Sequence, residues 1–308
     1  MRALIIGGAG FVGGYLIREL LSSSWEVCAT CLPEEKITGC DTVKLDILKS
    51  GAVGEVLEKT CPDVVYHLAA QSSVAVSWKR PQLTAEINVV GTINVLEAVR
   101  EYGRARTVLI GSGEEYGFIR DGACPLSEDE PLHPGNIYAA TKACQGMLGE
   151  IYARAYKMDI VMVRAFNHSG PGQADIFVIS DFCRQIAEAE AGLREPVIRV
   201  GNLSAKRDFT DVRDVVRAYR LLGTNGVSGR VYNVGRGKAV EIQYILDTAL
   251  GMARTDIRTE RDPARMRASD IPLIEPDVSL IREDTGWQAE ITMEQTIGDT
   301  LEYWRKEK

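Results

Sequence analysis

The chain has 308 residues, of which 45% are apolar and 26% are charged, and this length is enough for a large core and one or two closely associated domains. Its 36 basic and 43 acidic side chains give a net charge of -7, which argues against a general nucleic-acid-binding role because such a role requires a basic face. The sequence has no run of about 20 apolar residues that would predict a membrane span. Composition therefore favours a globular enzyme.

Cysteine usage predicts a cytoplasmic protein without a metal site. The seven cysteines form an odd and scattered set, which is typical of reduced thiols. Cys28 and Cys31 have CxxC spacing, but no second pair with similar spacing completes a zinc site. The N-terminal residues run straight into a glycine-rich loop, so they predict a first strand and not a signal peptide.

The first segment predicts a dinucleotide-binding turn. Arg2 to Ile6 has the pattern of a buried strand, and an apolar-periodic helix that runs through Leu21 follows the turn. Glycines between the two allow a tight turn, a close backbone approach to a pyrophosphate and close helix–strand packing, while the helix N-terminus faces the phosphates. The predicted cofactor-binding residues of this turn are Gly7, Gly10, Phe11, Val12 and Gly13.

The next two strands are predicted to meet the adenosine half of the cofactor. Glu26 to Cys31 forms the second strand, and in this architecture an acidic residue at its end holds a ribose, whereas arginines accept a 2′-phosphate. This chain offers Cys31-Leu32-Pro33, which is neither, so NADH and NADPH both stay open. The third strand, Val43 to Ile47, supplies Asp46 and Ile47 as predicted cofactor contacts, although a loop cap is an equally good interpretation of Asp46.

The fourth strand, Asp63 to Ala70, ends in small residues that let a cofactor lie close. Its predicted cofactor contacts are Leu68, Ala69 and Ala70. His67, within the strand, is interpreted as a packed, hydrogen-bonded residue and not as a catalyst.

Helices and strands then continue to alternate. A helix over 81–101 precedes a strand over 106–110, and Ser112 follows at the strand's carboxyl end, where ligands bind in such sheets. A helix over 138–156 and a strand over 159–166 complete the series. This alternation predicts an α/β protein with a Rossmann-type, doubly wound parallel sheet.

The βα rhythm weakens in the second half of the chain. It predicts a smaller, mixed α/β substrate lobe over about 166–208 and 237–308, next to a dinucleotide-binding domain over 1–165 with a returning segment at about 209–236. The predicted strands are 197–201 and 231–234, and the predicted helices lie near 177–191, 213–222, 241–250 and 292–305.

Tyr138 and Lys142 stand four residues apart and therefore share one helix face. A phenol has a pKa near ~10, and a nearby cation brings that pKa towards neutrality, so the pair is a candidate proton donor with its own activating charge. Taken alone, the pair is interpreted equally well as an amphipathic surface couple. The glycine loop and Ser112 favour the catalytic interpretation.

These residues as an ordered set resemble the extended short-chain dehydrogenase/reductases that act on nucleotide sugars. The resemblance covers essentially the whole chain and implies a nicotinamide cofactor and a homodimer formed by a four-helix bundle of the helices over 81–101 and 138–156. The residues that carry it are Gly7-x-x-Gly10-x-x-Gly13, Asp46-Ile47, His67-Leu-Ala-Ala70, Asn88, Gly91-Thr92, Ser112 and Tyr138-x-x-x-Lys142.

Further stretches narrow the activity that the resemblance implies. Residues 111–117, 166–173 and 207–214 are similar to enzymes that reduce the C4 keto group of a nucleotide-linked 4-keto-6-deoxyhexose with NAD(P)H, in particular GDP-4-keto-6-deoxy-D-mannose to GDP-D-rhamnose. Residues 71–78 are equally similar to GDP-mannose 4,6-dehydratases, which are the alternative. A nucleotide-sugar 4-epimerase and a non-catalytic dinucleotide-sensing protein are further alternatives.

The resemblance also implies roles by position. Tyr138 protonates the C4 oxygen, Ser112 hydrogen-bonds the same oxygen, and Lys142 lowers the pKa of the tyrosine and holds the nicotinamide ribose. Two arginines suit the diphosphate of a GDP-linked sugar, since each guanidinium binds two oxygens at once. The implied substrate-binding residues are Ser73, Glu114, Asn167, Arg207 and Arg267.

Glu114 and Gly113 bear on the choice between reductase and dehydratase. Glu114 is a candidate catalytic residue because dehydratases keep a base there that removes the C5 proton. Gly113, however, stands where some dehydratases that act on other nucleotide sugars keep an acid, and glycine cannot protonate a leaving hydroxyl. The second strand also lacks the arginines of GDP-mannose dehydratases. These two absences favour a reductase, in which Glu114 is a polar contact to the sugar.

Overall fold

The computed structural model describes residues 1–49, 51–120, 122–265 and 271–308. Within these residues the strands are, in chain order, β1 (Arg2–Ile6), β2 (Glu26–Cys31), β3 (Asp41–Lys44), β4 (Val64–His67), β5 (Arg106–Ser112), β6 (Ile160–Ala165), β7 (Asn167–Ser169), β8 (Val197–Val200), β9 (Lys206–Asp211), β10 (Val231–Val234), β11 (Ala239–Glu241), β12 (Arg258–Arg261) and β13 (Leu273–Ile274).

The α-helices are α1 (Phe11–Ser22), α2 (Ala52–Thr60), α3 (Val74–Lys79), α4 (Pro81–Ala85), α5 (Gly91–Tyr102), α6 (Ile137–Tyr156), α7 (Val178–Glu190), α8 (Val212–Asn225), α9 (Ile242–Gly251), α10 (Ser279–Thr285) and α11 (Met293–Lys306). No described helix is both long and apolar enough to cross a bilayer.

The large sheet has seven strands in the order β10-β6-β5-β4-β1-β2-β3, and every pairing within it is parallel. The strand order reverses between β1 and β4, so the loops after these two strands diverge and leave a crevice at the carboxyl edge, where ligands bind in such sheets. The predicted Rossmann-type, doubly wound sheet is confirmed.

The sheet is covered on both faces, which explains why its strands read as continuous apolar runs. In β1, Ala3 and Ile5 face one core with α1 and α8, whereas Leu4 and Ile6 face a second core with α2 and α5. All four side chains are fully buried. Because successive side chains of a strand point to opposite faces of the sheet, β1 contributes apolar side chains to the cores on both faces.

The helical stretch predicted over 81–101 runs from Pro81 to Tyr102, but its middle, Glu86–Val90, is π-helical. Asn88 lies buried in this turn, and its Nδ2 donates to Thr141 Oγ1 at 3.0 Å. Its Oδ1 accepts from the Gln71 amide at 2.8 Å. The wider turn therefore places the Asn88 side chain between the loop after β4 and helix α6. Such π-helical turns often occur at functional sites.

The smaller lobe is built on β9, which pairs with β7 and β13 in parallel and with β11 in antiparallel orientation, while β8 pairs with β12. Helices α7, α9 and α11 enclose its core. Val278, Ile281 and Trp287, late in the chain, pack instead into the core of the large sheet. The boundaries between the two lobes stay a prediction.

Candidate active site

Of the three predicted phosphate-binding glycines after β1, two have no space for a side chain, and the third has open space beside its backbone. A Cβ at Gly7 would lie 2.6 Å from the Ala69 nitrogen, and a Cβ at Gly13 would clash with the Gly8 carbonyl oxygen. A Cβ at Gly10 would meet only the Gly7 oxygen at 3.7 Å. Helix α1 begins at Phe11 without a side-chain cap, so its first amides are available to an anion. The loop therefore fits the pyrophosphate of a dinucleotide.

The loop that follows β4 flanks this turn, whereas Asp46 and Ile47 lie in the loop that follows β3. The amides of Leu68 and Ala69 both donate to the Ile6 carbonyl oxygen at 2.9 Å, which brings Ala69 and Ala70 to the edge of the glycine loop. Asp46 caps its own turn, because its Oδ1 accepts from the Leu48 amide at 3.0 Å.

Ile47 is buried against the start of α5. A Cβ at Gly91 would lie 2.5 Å from Ile47 Cδ1, and the Ile47 carbonyl accepts from Asn94 at 2.8 Å. Its side chain is thus part of the core under α5, and contact with a cofactor stays a prediction for Ile47 as for Asp46.

Ser112 ends β5 and opens a 3₁₀ turn over Gly113–Tyr116. Its Oγ accepts from the Glu114 amide at 3.2 Å, and its own amide donates to Glu115 Oε1 at 2.7 Å. The serine is buried and its orientation is held from both sides. This turn places the hydroxyl at the carboxyl edge of the sheet, next to the start of α6.

Helix α6 delivers Tyr138 to the same place. Asn136 caps the helix by accepting from the Ala139 amide at 2.8 Å, and its Nδ2 donates to Glu114 Oε2 at 3.2 Å. Tyr138 is half-buried, and its hydroxyl lies close enough to Ser112 for the two side chains to interact. The structure therefore brings Ser112, Glu114 and Tyr138 together, although they come from two separate segments of the chain.

The predicted lowering of the Tyr138 pKa is wrong for this arrangement. Burial raises the pKa of Tyr138 to about 12; the hydrogen bond with Ser112 opposes this rise, and the negative charges of Glu115 and Glu114 add to it. The phenol is therefore held in its protonated form, which is the form that a proton donor needs.

Lys142 lies one turn after the tyrosine, but its ammonium is bound elsewhere. Its Nζ donates to the Ile110 carbonyl oxygen at 2.6 Å and to Gln145 Oε1 at 2.9 Å, and the side chain is buried. Burial lowers the pKa of Lys142 to about 8, while the nearby Glu115 carboxylate raises it. The lysine is thus present at the site with a charge that titrates close to neutral pH.

A buried pair behind Ser112 was missed from the sequence. Glu115 and Arg164 are 1% and 7% exposed, and Glu115 Oε2 lies 3.4 Å from Arg164 Nε. Arg164 also donates to the Tyr116 hydroxyl at 3.0 Å and to the Glu128 carbonyl at 2.7 Å. The sequence does contain a signal for this pair, since Arg164 lies within the otherwise apolar run of β6. A guanidinium buried in a strand requires a carboxylate partner.

The predicted substrate residues are divided between the lobes. Asn167 is exposed on β7, which pairs with β9 so that Asn167 faces Phe209 in register. Arg207 lies two residues earlier on β9, and its Nη1 donates to the Ile271 carbonyl oxygen at 2.6 Å. Ser73 caps α3 by accepting from the Val76 amide at 3.3 Å. Arg267 lies outside the described residues.

For His168 the family resemblance implies a contact to the sugar, and a structural role in its loop is an equally good interpretation of the sequence. In the structure its ring stacks on Phe11 with ring centroids 6.4 Å apart. Its Nδ1 lies 3.0 Å from the Phe166 carbonyl oxygen, and burial lowers its pKa. Tyr15 of α1 donates to the Pro171 carbonyl at 2.8 Å. These contacts join the loop after β7 to the start of α1, which supports the structural interpretation.

A seven-stranded parallel sheet, a glycine loop that fits a pyrophosphate, and a convergent serine, tyrosine and lysine define an NAD(P)-dependent oxidoreductase of the extended short-chain dehydrogenase/reductase type. Residues 4–300 match the family model described as GDP-mannose 4,6 dehydratase, and the chain belongs to this family.

Individual relatives carry several activities. A GDP-6-deoxy-D-mannose reductase of Pseudomonas aeruginosa is 33% identical over 98% of this chain and 97% of its own length. A UDP-glucose 4-epimerase of Mycolicibacterium smegmatis is 30% identical over 99% of both chains. A solved structure, RMD from Pseudomonas aeruginosa complexed with NADPH, is 32% identical with a TM-score of 0.89 and covers 100% of this chain and 99% of that one. The cofactor of this chain is a nicotinamide dinucleotide.

Proposed function

We propose that the protein reduces the C4 keto group of GDP-4-keto-6-deoxy-D-mannose with NAD(P)H and forms GDP-D-rhamnose. The observation that carries this choice is the packing at Gly113. A Cβ at this position would lie 3.0 Å from the ring of Phe166, so Gly113 is tightly packed and a larger side chain beside Ser112 would require the ring to shift. Some dehydratases that act on other nucleotide sugars keep an acid at this place to protonate the departing C6 hydroxyl, whereas a C4 reductase needs no such acid.

The roles of the residues follow from their geometry. A bound reduced nicotinamide supplies a hydride to the keto carbon. Tyr138, protonated and joined to Ser112, gives its proton to the oxygen that becomes negative, and the Ser112 hydroxyl hydrogen-bonds the same oxygen. The ammonium of Lys142 would add a positive charge near the nicotinamide ribose; Ile110 and Gln145 engage two of its three N–H groups, which leaves one donor for the ribose.

For the substrate, we propose that Asn167 contacts the sugar and that Arg207 binds the diphosphate. Support comes from the pairing of β7 with β9, which places both residues on adjacent strands of one small sheet. The family resemblance supports the same role for Arg267 and a contact from Ser73 to the sugar. Glu114, within reach of Tyr138 and held by Asn136, is proposed as a polar contact to the hexose.

A GDP-mannose 4,6-dehydratase is the second candidate, and Glu114 is the observation that favours it. A carboxylate beside the tyrosine is the group that would remove the C5 proton after oxidation at C4. The position of Glu114 suits this role. Residue 113, however, is a glycine, so the site lacks an acidic side chain there.

One assay separates the candidates. The purified protein is given GDP-4-keto-6-deoxy-D-mannose with NADH or NADPH, and in parallel GDP-mannose with catalytic NADP⁺. The reductase consumes reduced nicotinamide in the first mixture and forms a GDP-6-deoxyhexose that carries a C4 hydroxyl. A keto sugar arising from GDP-mannose, without net consumption of the cofactor, would refute the reductase and establish the dehydratase.

We also propose that the protein is a homodimer formed through α4–α5 and α6. Met147 and Ile151 lie four residues apart on α6 and are 52% and 47% exposed, and Val90 on the neighbouring helical segment is 49% exposed. Sedimentation at micromolar concentration tests this: the wild type is expected as a dimer and Met147→Glu as a monomer, with Leu193→Glu, an exposed leucine outside these helices, as the control. A monomeric wild type would refute the proposal.

The cytoplasm is the proposed location. All seven cysteine thiols are unpaired, which suits a reducing compartment.

A further inference from the structure

The carboxyl end of β2 carries a cation that belongs to the neighbouring strand. Lys44, the last residue of β3, stands opposite Cys31, the last residue of β2. Its Nζ donates to Cys31 Sγ at 3.3 Å and to the Leu32 carbonyl oxygen at 3.0 Å, and also contacts the Glu35 carbonyl oxygen. The ammonium is therefore held over the point where the chain leaves β2.

The positive charge of Lys44 is not neutralised in place. All three acceptors are uncharged, and within the described ranges no carboxylate forms an ion pair with this lysine. Of the two glutamates on the loop after β2, Glu35 accepts through Oε2 from the Leu32 amide at 2.9 Å, and Glu34 is exposed. Lys44 is also exposed, so its head can turn towards an incoming anion.

This end of β2 lies directly against the glycine loop. The Gly8 amide donates to the Thr30 carbonyl oxygen at 2.8 Å, and the Gly7 amide donates to Thr30 Oγ1 at 3.2 Å. In sheets of this kind the adenosine ribose reaches the end of β2, where an acidic residue binds the free 2′-hydroxyl and a cation accommodates a 2′-phosphate. Cys31 occupies the acidic position here and is almost fully buried.

We infer that Lys44 recognises the 2′-phosphate of NADPH and that the protein prefers NADPH over NADH. A lysine on β3 supplies the charge that the loop after β2 does not, since a compact ammonium binds phosphate as a point charge. The inference concerns cofactor binding alone, so it holds or fails independently of which sugar is reduced.

The test is direct binding in the absence of sugar. Titration by nicotinamide fluorescence is expected to show NADPH binding at least about tenfold more tightly than NADH, since a hydrogen bond to a charged group contributes about 10- to 100-fold in affinity. Lys44→Ala should lose most of this difference and keep the affinity for NADH, which also reports that the variant is folded. Lys44→Arg should keep the preference.

Two controls make the outcome decisive. Lys36→Ala removes an exposed lysine from the loop between β2 and β3, which Lys44 contacts, and should leave the NADPH affinity unchanged. In the wild type, 2′,5′-ADP should displace NADPH more effectively than 5′-ADP, a measurement that needs no variant. Equal wild-type affinities for the two cofactors, an equal loss of both in Lys44→Ala, or a loss in Lys36→Ala instead would each overturn the inference.

Discussion

Two adjacent glutamates are expected to respond very differently to the same substitution. Glu115 accepts from the Ser112 amide at 2.7 Å and faces Arg164 at 3.4 Å, and both charged side chains are almost fully buried. Glu115→Gln keeps the shape and an acceptor for the Ser112 amide, but it leaves the guanidinium of Arg164 without its buried counter-charge. The expected result is a clear loss of stability.

The magnitude follows from what Arg164 retains. Removal of one partner of a buried ion pair typically costs ~3–5 kcal/mol. Here the guanidinium keeps its hydrogen bonds to the Tyr116 hydroxyl and the Glu128 carbonyl, so we expect a smaller loss of ~2–3 kcal/mol in the free energy of unfolding. Unfolding entropy scales with length, and for 308 residues this loss corresponds to a fall in Tm of roughly 3–5 °C.

Glu114→Gln is the matched control. Glu114 is half-buried, and its side chain accepts a hydrogen bond from the neutral Asn136 amide at 3.2 Å, so Glu114→Gln should cost less than ~1 kcal/mol. Denaturant and thermal unfolding of both variants beside the wild type at pH 7 measure the difference. Burial raises the pKa of Glu115, and the charge of Arg164 lowers it. A loss below ~0.5 kcal/mol for Glu115→Gln would mean that Glu115 is already neutral in the folded protein and would refute the ion-pair argument.

Three further outcomes test the site. Tyr138→Phe should lower kcat by about 10²–10⁴-fold while the cofactor affinity stays within about threefold, as measured by NADPH oxidation and by fluorescence titration. kcat/KM for the cofactor, which reports the free enzyme, should fall as pH rises through about 8, because Lys142 loses its ammonium there while Tyr138 stays protonated; a flat profile from about pH 6 to 10 would contradict this. Gly13→Ala should weaken cofactor binding by more than about tenfold in the same titration, since the added Cβ clashes with the Gly8 carbonyl oxygen.

The large sheet could be predicted from the sequence because burial on both faces produces long apolar runs with glycine-rich ends. The strand over 231–234 was predicted with the bounds that β10 has. In the smaller lobe, the strand predicted over 197–201 matches β8 to within one residue, but β9 and β12 could not be found in this way. β12 is four exposed residues, Arg-Thr-Glu-Arg, without any apolar alternation, and β9 hides its apolar residues among charged ones.

One of those charged residues shows why the pattern failed. Asp208 on β9 is fully buried, and its carboxylate accepts from the amides of Arg236 and Lys238 at 2.8 and 2.9 Å. Burial raises the pKa of Asp208 to about 6, against the hydrogen bonds that lower it. Asp208 thus supports the loop after β10 through amides that lie 28 and 30 residues away in the chain, a partnership that no local sequence pattern indicates.

At the active site, spacing along the chain predicted which side chains meet but not how they are oriented. Ser112 and Tyr138 come together because one follows a parallel strand and the other opens the helix that packs beside it. Positions four apart on a helix guarantee only a shared face. The direction of Lys142 is decided by Ile110 and Gln145, whose acceptors capture the ammonium at 2.6 and 2.9 Å.

The 3₁₀ turn after β5 explains how the site and the core depend on each other. Because three residues complete a turn of this helix, the consecutive side chains of Glu114 and Glu115 point in different directions. Glu114 reaches the cap of α6, which carries Tyr138, whereas Glu115 enters the core and pairs with Arg164. Glu115 also accepts a hydrogen bond from the Ser112 amide, so the buried ion pair fixes the position of the serine beside the tyrosine. A change in that pair should therefore disturb the alignment of the Ser112 and Tyr138 hydroxyls.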